Sequence, residues 1–209
     1  MSIQAVIFDL GGVLLRTSSR QPRSSLEEEM GLAPGKLDER IWGGPDWELA
    51  EVGAISYEEY WRRMGAELGF STPEQISAFR QEYFSGDKVD QELIDLIKEL
   101  RTNYKIGLLS NAPDRLGHWL EQNWQISHLF DAVVYSAEVG IAKPDPRIYR
   151  LLLEKLQVHP SEALFIDDSP ENVEGAAALG IKALRFTNTK RLKDELRKYL
   201  VPSQEETSP

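Results

Sequence analysis

Ala5-Val6-Ile7-Phe8-Asp9-Leu10-Gly11-Gly12 joins a continuous apolar run to a single acid and a glycine pair. Apolar residues without polar alternation suit a strand covered on both faces, as in a parallel sheet. Asp9 leaves that strand at its carboxyl end, and Gly11-Gly12 let a ligand approach the backbone without side-chain clash. Far downstream, Ala163-Leu164-Phe165-Ile166 ends the same way, in Asp167-Asp168-Ser169. Open parallel sheets bind ligands outside the carboxyl ends of their strands, so two such runs can build one site between them. Three carboxylates gathered there repel one another unless a cation joins them. A hard divalent ion such as Mg²⁺, which takes oxygen ligands, meets that need.

Three more apolar runs, residues 106–109, 132–135 and 181–186, are candidate strands, and amphipathic patterns such as Leu93, Ile94, Leu96, Ile97 and Leu100 lie between them. Strand and helix alternate from about residue 90 onward, which predicts an α/β fold with a parallel sheet flanked by helices. Residues 16–88 interrupt the alternation. They hold no convincing strand, and residues 26–30, 37–42, 57–68 and 73–84 are candidate helices separated by Gly31, Gly43-Gly44-Pro45, Gly53 and Gly69. An insertion of this length beside the first acid reads as a helical cap over the site. The expected organisation is a core of residues 1–15 and 89–201, a cap of residues 16–88 and a flexible tail of residues 202–209, which is polar with two prolines.

A chain of 209 residues can bury a core and still carry an insertion. With 41% hydrophobic and 28% charged residues it is globular by composition. No stretch approaches the roughly 20 apolar residues of a membrane span. The first residues lack a basic start and run straight into a strand, and there is no cysteine, so a cytoplasmic protein without a leader is expected. A formal net charge of -10 argues against nucleic acid as partner. A small phosphorylated metabolite is compatible, because a bound metal and local cations can reverse the field inside a pocket. A monomer or a homodimer is expected.

The motifs supply the parts that phosphoryl transfer requires: a nucleophile, a cation, a metal site and hydrogen-bond donors. Asp9 can act as a carboxylate nucleophile. Ser110-Asn111 bring a hydroxyl and an amide after the second apolar run, and Lys143-Pro144-Asp145 bring an ammonium after the third. Each part has a plain structural reading beside the chemical one. Asp9 can cap a turn, Ser110-Asn111 and Asp167-Asp168-Ser169-Pro170 can start helices, and Lys143 can be a solvated lysine. Their shared position, each where an apolar run ends, favours the chemical reading. His118, His128 and His159 share no ligand spacing and belong to surfaces or helix ends. Trp42, Trp47, Tyr57, Tyr60 and Trp61 are packing residues first, with Trp42 and Trp47 the candidates for substrate contact because they flank Gly43-Gly44-Pro45. Arg16 is either a hinge of the cap or a solvated residue.

Taken together, Phe8-Asp9-Leu10-Gly11-Gly12-Val13, Leu109-Ser110-Asn111, Lys143-Pro144-Asp145 and Asp167-Asp168-Ser169-Pro170-Glu171-Asn172 resemble the four motifs of the haloacid dehalogenase-like (HAD) hydrolase superfamily. The nearest resemblance is to a subgroup of small bacterial sugar-phosphate phosphatases that includes an α-D-glucose-1-phosphate phosphatase. It implies a Rossmann-like sheet of order 3-2-1-4-5 with an inserted helical cap. It further implies that Asp9 is the nucleophile and a Mg²⁺ ligand together with the Gly11 carbonyl, Asp167 and Asp168. Ser110, Asn111, Lys143 and the Gly12 N–H would hold the phosphoryl group, and Asn172 would stand behind the metal ligands.

One position departs from the superfamily's phosphatases. Where most carry a second Asp two residues after the nucleophile, to protonate the leaving group, this chain has Gly11. The subgroup also tends to lack that Asp. An anomeric sugar phosphate, whose hydroxyl is relatively acidic, needs the acid least. The expectation is a Mg²⁺-dependent phosphatase acting on a small phosphorylated metabolite, most readily a sugar phosphate, through an aspartyl-phosphate on Asp9. The alternatives are a metal-independent 2-haloacid dehalogenase-type hydrolase and a HAD-fold binding protein with little turnover.

Overall fold

The structure is a computed structural model that describes residues 2–200. Among these residues the strands are β1 (Ala5–Phe8), β2 (Leu15–Thr17), β3 (Asp87–Val89), β4 (Lys105–Ser110), β5 (Ala132–Tyr135), β6 (Ala163–Asp167) and β7 (Lys182–Arg185). Five of them form one sheet in the order β5-β4-β1-β6-β7, with every pairing parallel. Numbered by the five apolar runs, that is the expected 3-2-1-4-5. The register sets Phe8 beside Ile166, so Asp9 and Asp167 leave neighbouring strands side by side. The Asp9 N–H donates to the Ile166 carbonyl at 2.9 Å, which carries the ladder one residue past β1.

Alternate residues of each central strand face opposite ways. Val6, Phe8, Ile106, Leu108, Leu164 and Ile166 enter one apolar layer, and Ala5, Ile7, Leu109, Ala163 and Phe165 enter the other. Both layers exclude water, which is why these strands read as unbroken apolar runs. The helix Gln91–Leu100 covers the first face with Leu93, Ile94, Leu96 and Ile97, and the helix Pro146–Leu156 covers the second with Ile148, Tyr149, Leu152 and Leu153. Each such leucine contributes about 1.5–3 kcal/mol through burial.

Between β2 and β3 the helices are Gln21–Glu29, Lys36–Trp42, Pro45–Glu51, Tyr57–Glu67 and Pro73–Phe84. They enclose a separate apolar cluster that includes Leu37, Ile41, Tyr60, Trp61, Phe79 and Tyr83.

The structure corrects the sequence reading at several points. β2 and β3 pair antiparallel where no strand was expected, Arg16 opposite Lys88. Strands of three residues with charged members carry no readable period, and this pairing depends on a partner about seventy positions away. The first helix of the insertion begins at Gln21, ahead of residue 26, with Pro22 in its first turn. Pro45–Glu51 is a helix that the sequence reading passed over, opened by Pro45 after extended Gly44. Ser110 closes β4 and starts no helix. The three histidines are exposed. The expected tail at residues 202–209 lies outside the described residues.

Candidate active site

The loops that follow β1, β4, β5 and β6 meet at the carboxyl edge of the sheet. Lys143, buried at 5% exposure, stands at the centre. Its Nζ donates to Asp9 Oδ1 at 2.7 Å, to Asp167 Oδ2 at 2.7 Å and to the Leu109 carbonyl at 3.1 Å, which uses all three ammonium hydrogens. Asn111 fixes the lysine's backbone in both directions. The Lys143 N–H donates to Asn111 Oδ1 at 2.7 Å, and Asn111 Nδ2 donates to the Lys143 carbonyl at 3.0 Å. Asp145 then caps the helix Pro146–Leu156 by accepting from the Arg147 N–H.

Asp167 is fully buried and saturated with donors. Besides Lys143, its carboxylate accepts from the Ser169 N–H at 2.9 Å and from Asn172 Nδ2 at 3.1 and 3.2 Å. Ser169 caps the helix Pro170–Ala178 through its hydroxyl, so this helix start and the acid pair are built from one turn. Asp168 faces solvent at the rim. Gly12 adopts φ +73°, and a Cβ there would lie 2.1 Å from Asp168 Oδ2, so only glycine leaves room for that carboxylate. The Gly12 N–H donates to the Leu15 carbonyl at 3.0 Å, and this turn places Gly11 at the mouth of the site. Ser110 is buried at the end of β4.

The charges are strongly coupled. Burial pushes the Asp9 carboxyl up to about 7, with Lys143 opposing the shift and Asp167 adding to it. Burial also works against the Lys143 charge, but Asp9 and Asp167 outweigh it and hold the ammonium above its ordinary range. Desolvation first and Asp167 second raise the Asp168 carboxyl. Carboxylate oxygens of Asp9, Asp167 and Asp168 lie within 4.8 Å of one another. Such a group of hard oxygen donors can hold a divalent cation, which would offset the burial that chiefly raises the Asp9 and Asp168 carboxyls and the smaller repulsion from Asp167.

Beside this cluster opens a cleft of about 830 Å³, bounded by Gly11, Gly12, Ser110 and Asn111 on one side and by Trp42 and Trp47 on the other. The two indoles meet edge to face at 4.6 Å. Both therefore pack within the helical insertion and line the cleft, whereas Gly43 and Gly44 between them do not line it. Arg16 pairs with Asp90 and lies over the Phe186 ring at the stem of the insertion.

A family model for the haloacid dehalogenase-like hydrolases matches residues 3–180. The chain belongs to that family. Relatives of this HAD-like hydrolase include acyl-CoA dehydrogenase family member 10 of Mus musculus, 45% identical over 95% of this chain and 19% of that protein. Another is a D-ribitol-5-phosphate phosphatase of Bacteroides thetaiotaomicron, 28% identical over 93% of this chain and 97% of that one. The chain spans well under half the length of some curated relatives and nearly all of others. Among solved structures, a variant of a Bacteroides thetaiotaomicron HAD-family enzyme in complex with magnesium and inorganic phosphate superimposes with a TM-score of 0.73. It is 25% identical and covers 91% of this chain and 99% of its own. Among the described residues of this HAD-like hydrolase, no helix is long and apolar enough to cross a membrane.

One residue that joins the insertion of this HAD-like hydrolase to the loop after β4 escaped the sequence reading. Glu51 ends the helix Pro45–Glu51, and burial raises its half-buried carboxyl. Its backbone carbonyl accepts from Ser136 Oγ, which also receives the Ala112 N–H at 2.9 Å. The sequence does contain a signal. A glutamate at a helix carboxyl end opposes the helix dipole, and a residue that breaks a local rule marks a functional position more often than an ordinary one.

Proposed function

We propose that this chain is a Mg²⁺-dependent phosphatase that cleaves a small phosphorylated metabolite through an aspartyl-phosphate on Asp9. The observation that carries this reading is the convergence of Asp9, Asp167 and Asp168 at one point of the sheet edge, with Lys143 inserted among them. Three carboxylates against one ammonium leave two negative charges, which one divalent ion balances. Asp9, Asp168 and the Gly11 carbonyl would hold the ion, with Asp167 behind them and Asn172 orienting Asp167. Bound there, Mg²⁺ would neutralise charge on the transferring phosphoryl group. That the Bacteroides enzyme of the same fold binds magnesium and phosphate supports the reading.

The protein's own groups divide the remaining work. Lys143 holds Asp9 Oδ1, which leaves the second carboxylate oxygen to attack phosphorus. The Ser110 hydroxyl supplies a donor for the phosphoryl oxygens and the Lys143 charge stabilises them, while a direct bond from Lys143 requires one of its three present bonds to open. Asn111 acts chiefly by holding the Lys143 loop in place. The Gly12 N–H is engaged by Leu15, so its share in phosphate binding requires that bond to open.

The helical insertion acts as a cap, with Trp42 and Trp47 meeting the leaving group. Aromatic faces beside Gln81 and Asn123 suit a sugar phosphate, which supports the carbohydrate side of the reading, as does the ribitol phosphate phosphatase among the relatives. The acid cluster favours this chemistry over halide displacement, which requires no metal. A panel of sugar phosphates, p-nitrophenyl phosphate and 2-chloropropionate, run with Mg²⁺ and with EDTA, tests the proposal. Phosphate release that EDTA abolishes and Mg²⁺ restores is expected. Release of chloride in EDTA, with no phosphate release under any condition, would refute it.

A further inference from the structure

We propose that Arg80 receives a second anionic group of the substrate, a carboxylate or a phosphate carried by the leaving group, so that the metabolite cleaved here is charged at both ends. The inference rests on the phosphatase reading above and adds a binding subsite to it. Arg80 lines the same cleft as Gly11, Gly12 and Ser110, on the wall that the helical insertion contributes. The cleft, about 830 Å³, has room beyond a phosphoryl group for a leaving group with a substituent of its own.

The helix Pro73–Phe84 turns this side chain to the cleft. Ile76, Phe79 and Tyr83, at i, i+3 and i+7, pack into the apolar cluster of the insertion. Ser77, Arg80, Gln81 and Phe84 stand one position round the helix and line the cleft, at i, i+3, i+4 and i+7. A guanidinium, a hydroxyl and an amide therefore share the face that meets the substrate. Two rings lie under the guanidinium, whose carbon is 4.6 Å from the centre of the Tyr57 ring and 5.5 Å from that of Trp61. Stacking of this kind orients the planar fork of N–H donors and leaves the donors themselves for an oxyanion.

Among the described residues three arginines line the cleft, and their partners separate them. Arg23 is committed to the fold: it gives two bonds to Asp87 at 2.7 and 2.9 Å and one to Asp38 at 3.2 Å, and the Asp87 side chain is only 12% exposed. Arg16 is held by Asp90, which is 8% exposed. Arg80 meets Glu58 through one nitrogen at 3.2 Å, and that glutamate is 63% exposed. A pair with a solvated carboxylate contributes little and gives way to an anion that the guanidinium can grip with two N–H groups. Ser77 and Gln81 set neutral donors beside it. In a chain of formal net charge -10, a loosely paired cation facing the cleft offsets a field that would otherwise repel a doubly anionic substrate.

The test uses three probes matched at the anomeric phosphate, namely glucose 1-phosphate, glucose 1,6-bisphosphate and glucuronic acid 1-phosphate, scored with Mg²⁺ by release of that phosphate. p-Nitrophenyl phosphate, which has no anionic substituent, is the reference. Hydrogen bonds to a charged group are worth about 10- to 100-fold, so kcat/KM for one of the two doubly charged probes should exceed that for glucose 1-phosphate by about that factor. The better of the two identifies the anion as phosphate or carboxylate. Arg80→Gln should erase the preference, chiefly through KM, and leave glucose 1-phosphate and p-nitrophenyl phosphate within about threefold of the parent. Arg80→Lys, which keeps the charge without the fork, should recover part of it. Glu58→Gln, an exposed change that removes the competing carboxylate, should keep or raise the preference. If Arg80→Gln fails to fold, Arg80→Lys serves, with a partial loss confined to the doubly charged probe expected. No preference in the unsubstituted protein, equal losses on all four probes in the Arg80 variants, or a preference lowered by Glu58→Gln would overturn the assignment. Absence of any turnover of p-nitrophenyl phosphate by the unsubstituted protein would instead sink the phosphatase reading.

Discussion

Lys143 places its ammonium 2.7 Å from the Asp9 carboxylate, although 134 positions separate the two residues. The lysine arrives on a loop held by Asn111, and the aspartate continues the ladder past β1, so two independent backbone constraints set the contact. With Asp167 on the other side, the ammonium satisfies two buried acids that would otherwise repel each other.

Removing one partner from such a group leaves uncompensated charge in a dry site. Lys143→Met should lower unfolding free energy by about 3–5 kcal/mol, measured by urea denaturation in EDTA. Mg²⁺ should recover part of the loss, because the cation takes over the lysine's charge. A loss below about 0.5 kcal/mol, the scale of an ordinary surface change, would show that the three charges are not coupled.

The pH response follows from Asp9, whose buried carboxyl is raised to about 7. Its unfolded-state value is about 4, so the folded protein binds more protons in between, and without metal this group's contribution to stability falls as pH rises from about 4 to about 7. Mg²⁺ competes with the same proton. The apparent affinity for Mg²⁺ should therefore weaken below pH 7, by up to tenfold per unit. Calorimetric titration with Mg²⁺ across that range checks the sign, and binding that tightens on acidification would contradict it.

Gly11 and Gly12 are adjacent, yet they should respond to substitution unequally. At Gly12, φ +73° and the 2.1 Å approach to Asp168 Oδ2 mean that Gly12→Ala costs about 1–2 kcal/mol in backbone strain and displaces the rim carboxylate. Weaker Mg²⁺ binding should accompany the lower melting temperature. Gly11→Ala meets open space and should stay within about 0.5 kcal/mol of the parent. Equal melting temperatures for the two variants would contradict this account.

Ser136 is fully buried and joins the helical insertion to the end of β4. Ser136→Ala leaves the Ala112 N–H without that acceptor, an unmet buried donor that costs about 1–3 kcal/mol. Hydrogen exchange should show faster opening at Ala112 and around Glu51 in this variant. Unchanged protection at both places would mean that the contact does not tie the insertion down.

The strands of the sheet and the acids at their ends were readable before any coordinates, because a strand buried on both faces must be apolar at every position. Asp9, Lys143 and Asp167-Asp168 announced themselves as polar residues where such runs stop. The pairing of β2 with β3, the helix Pro45–Glu51 and the tie from Glu51 to Ser136 were not readable in this way. Three-residue strands have no period, and Glu51 acquires its partner Ser136 only when a segment eighty-five positions away folds against it. Local patterning therefore sets where chain chemistry is exposed at a sheet edge. Which wall faces that edge is decided by long-range packing, whose contacts leave no trace in the residues on either side.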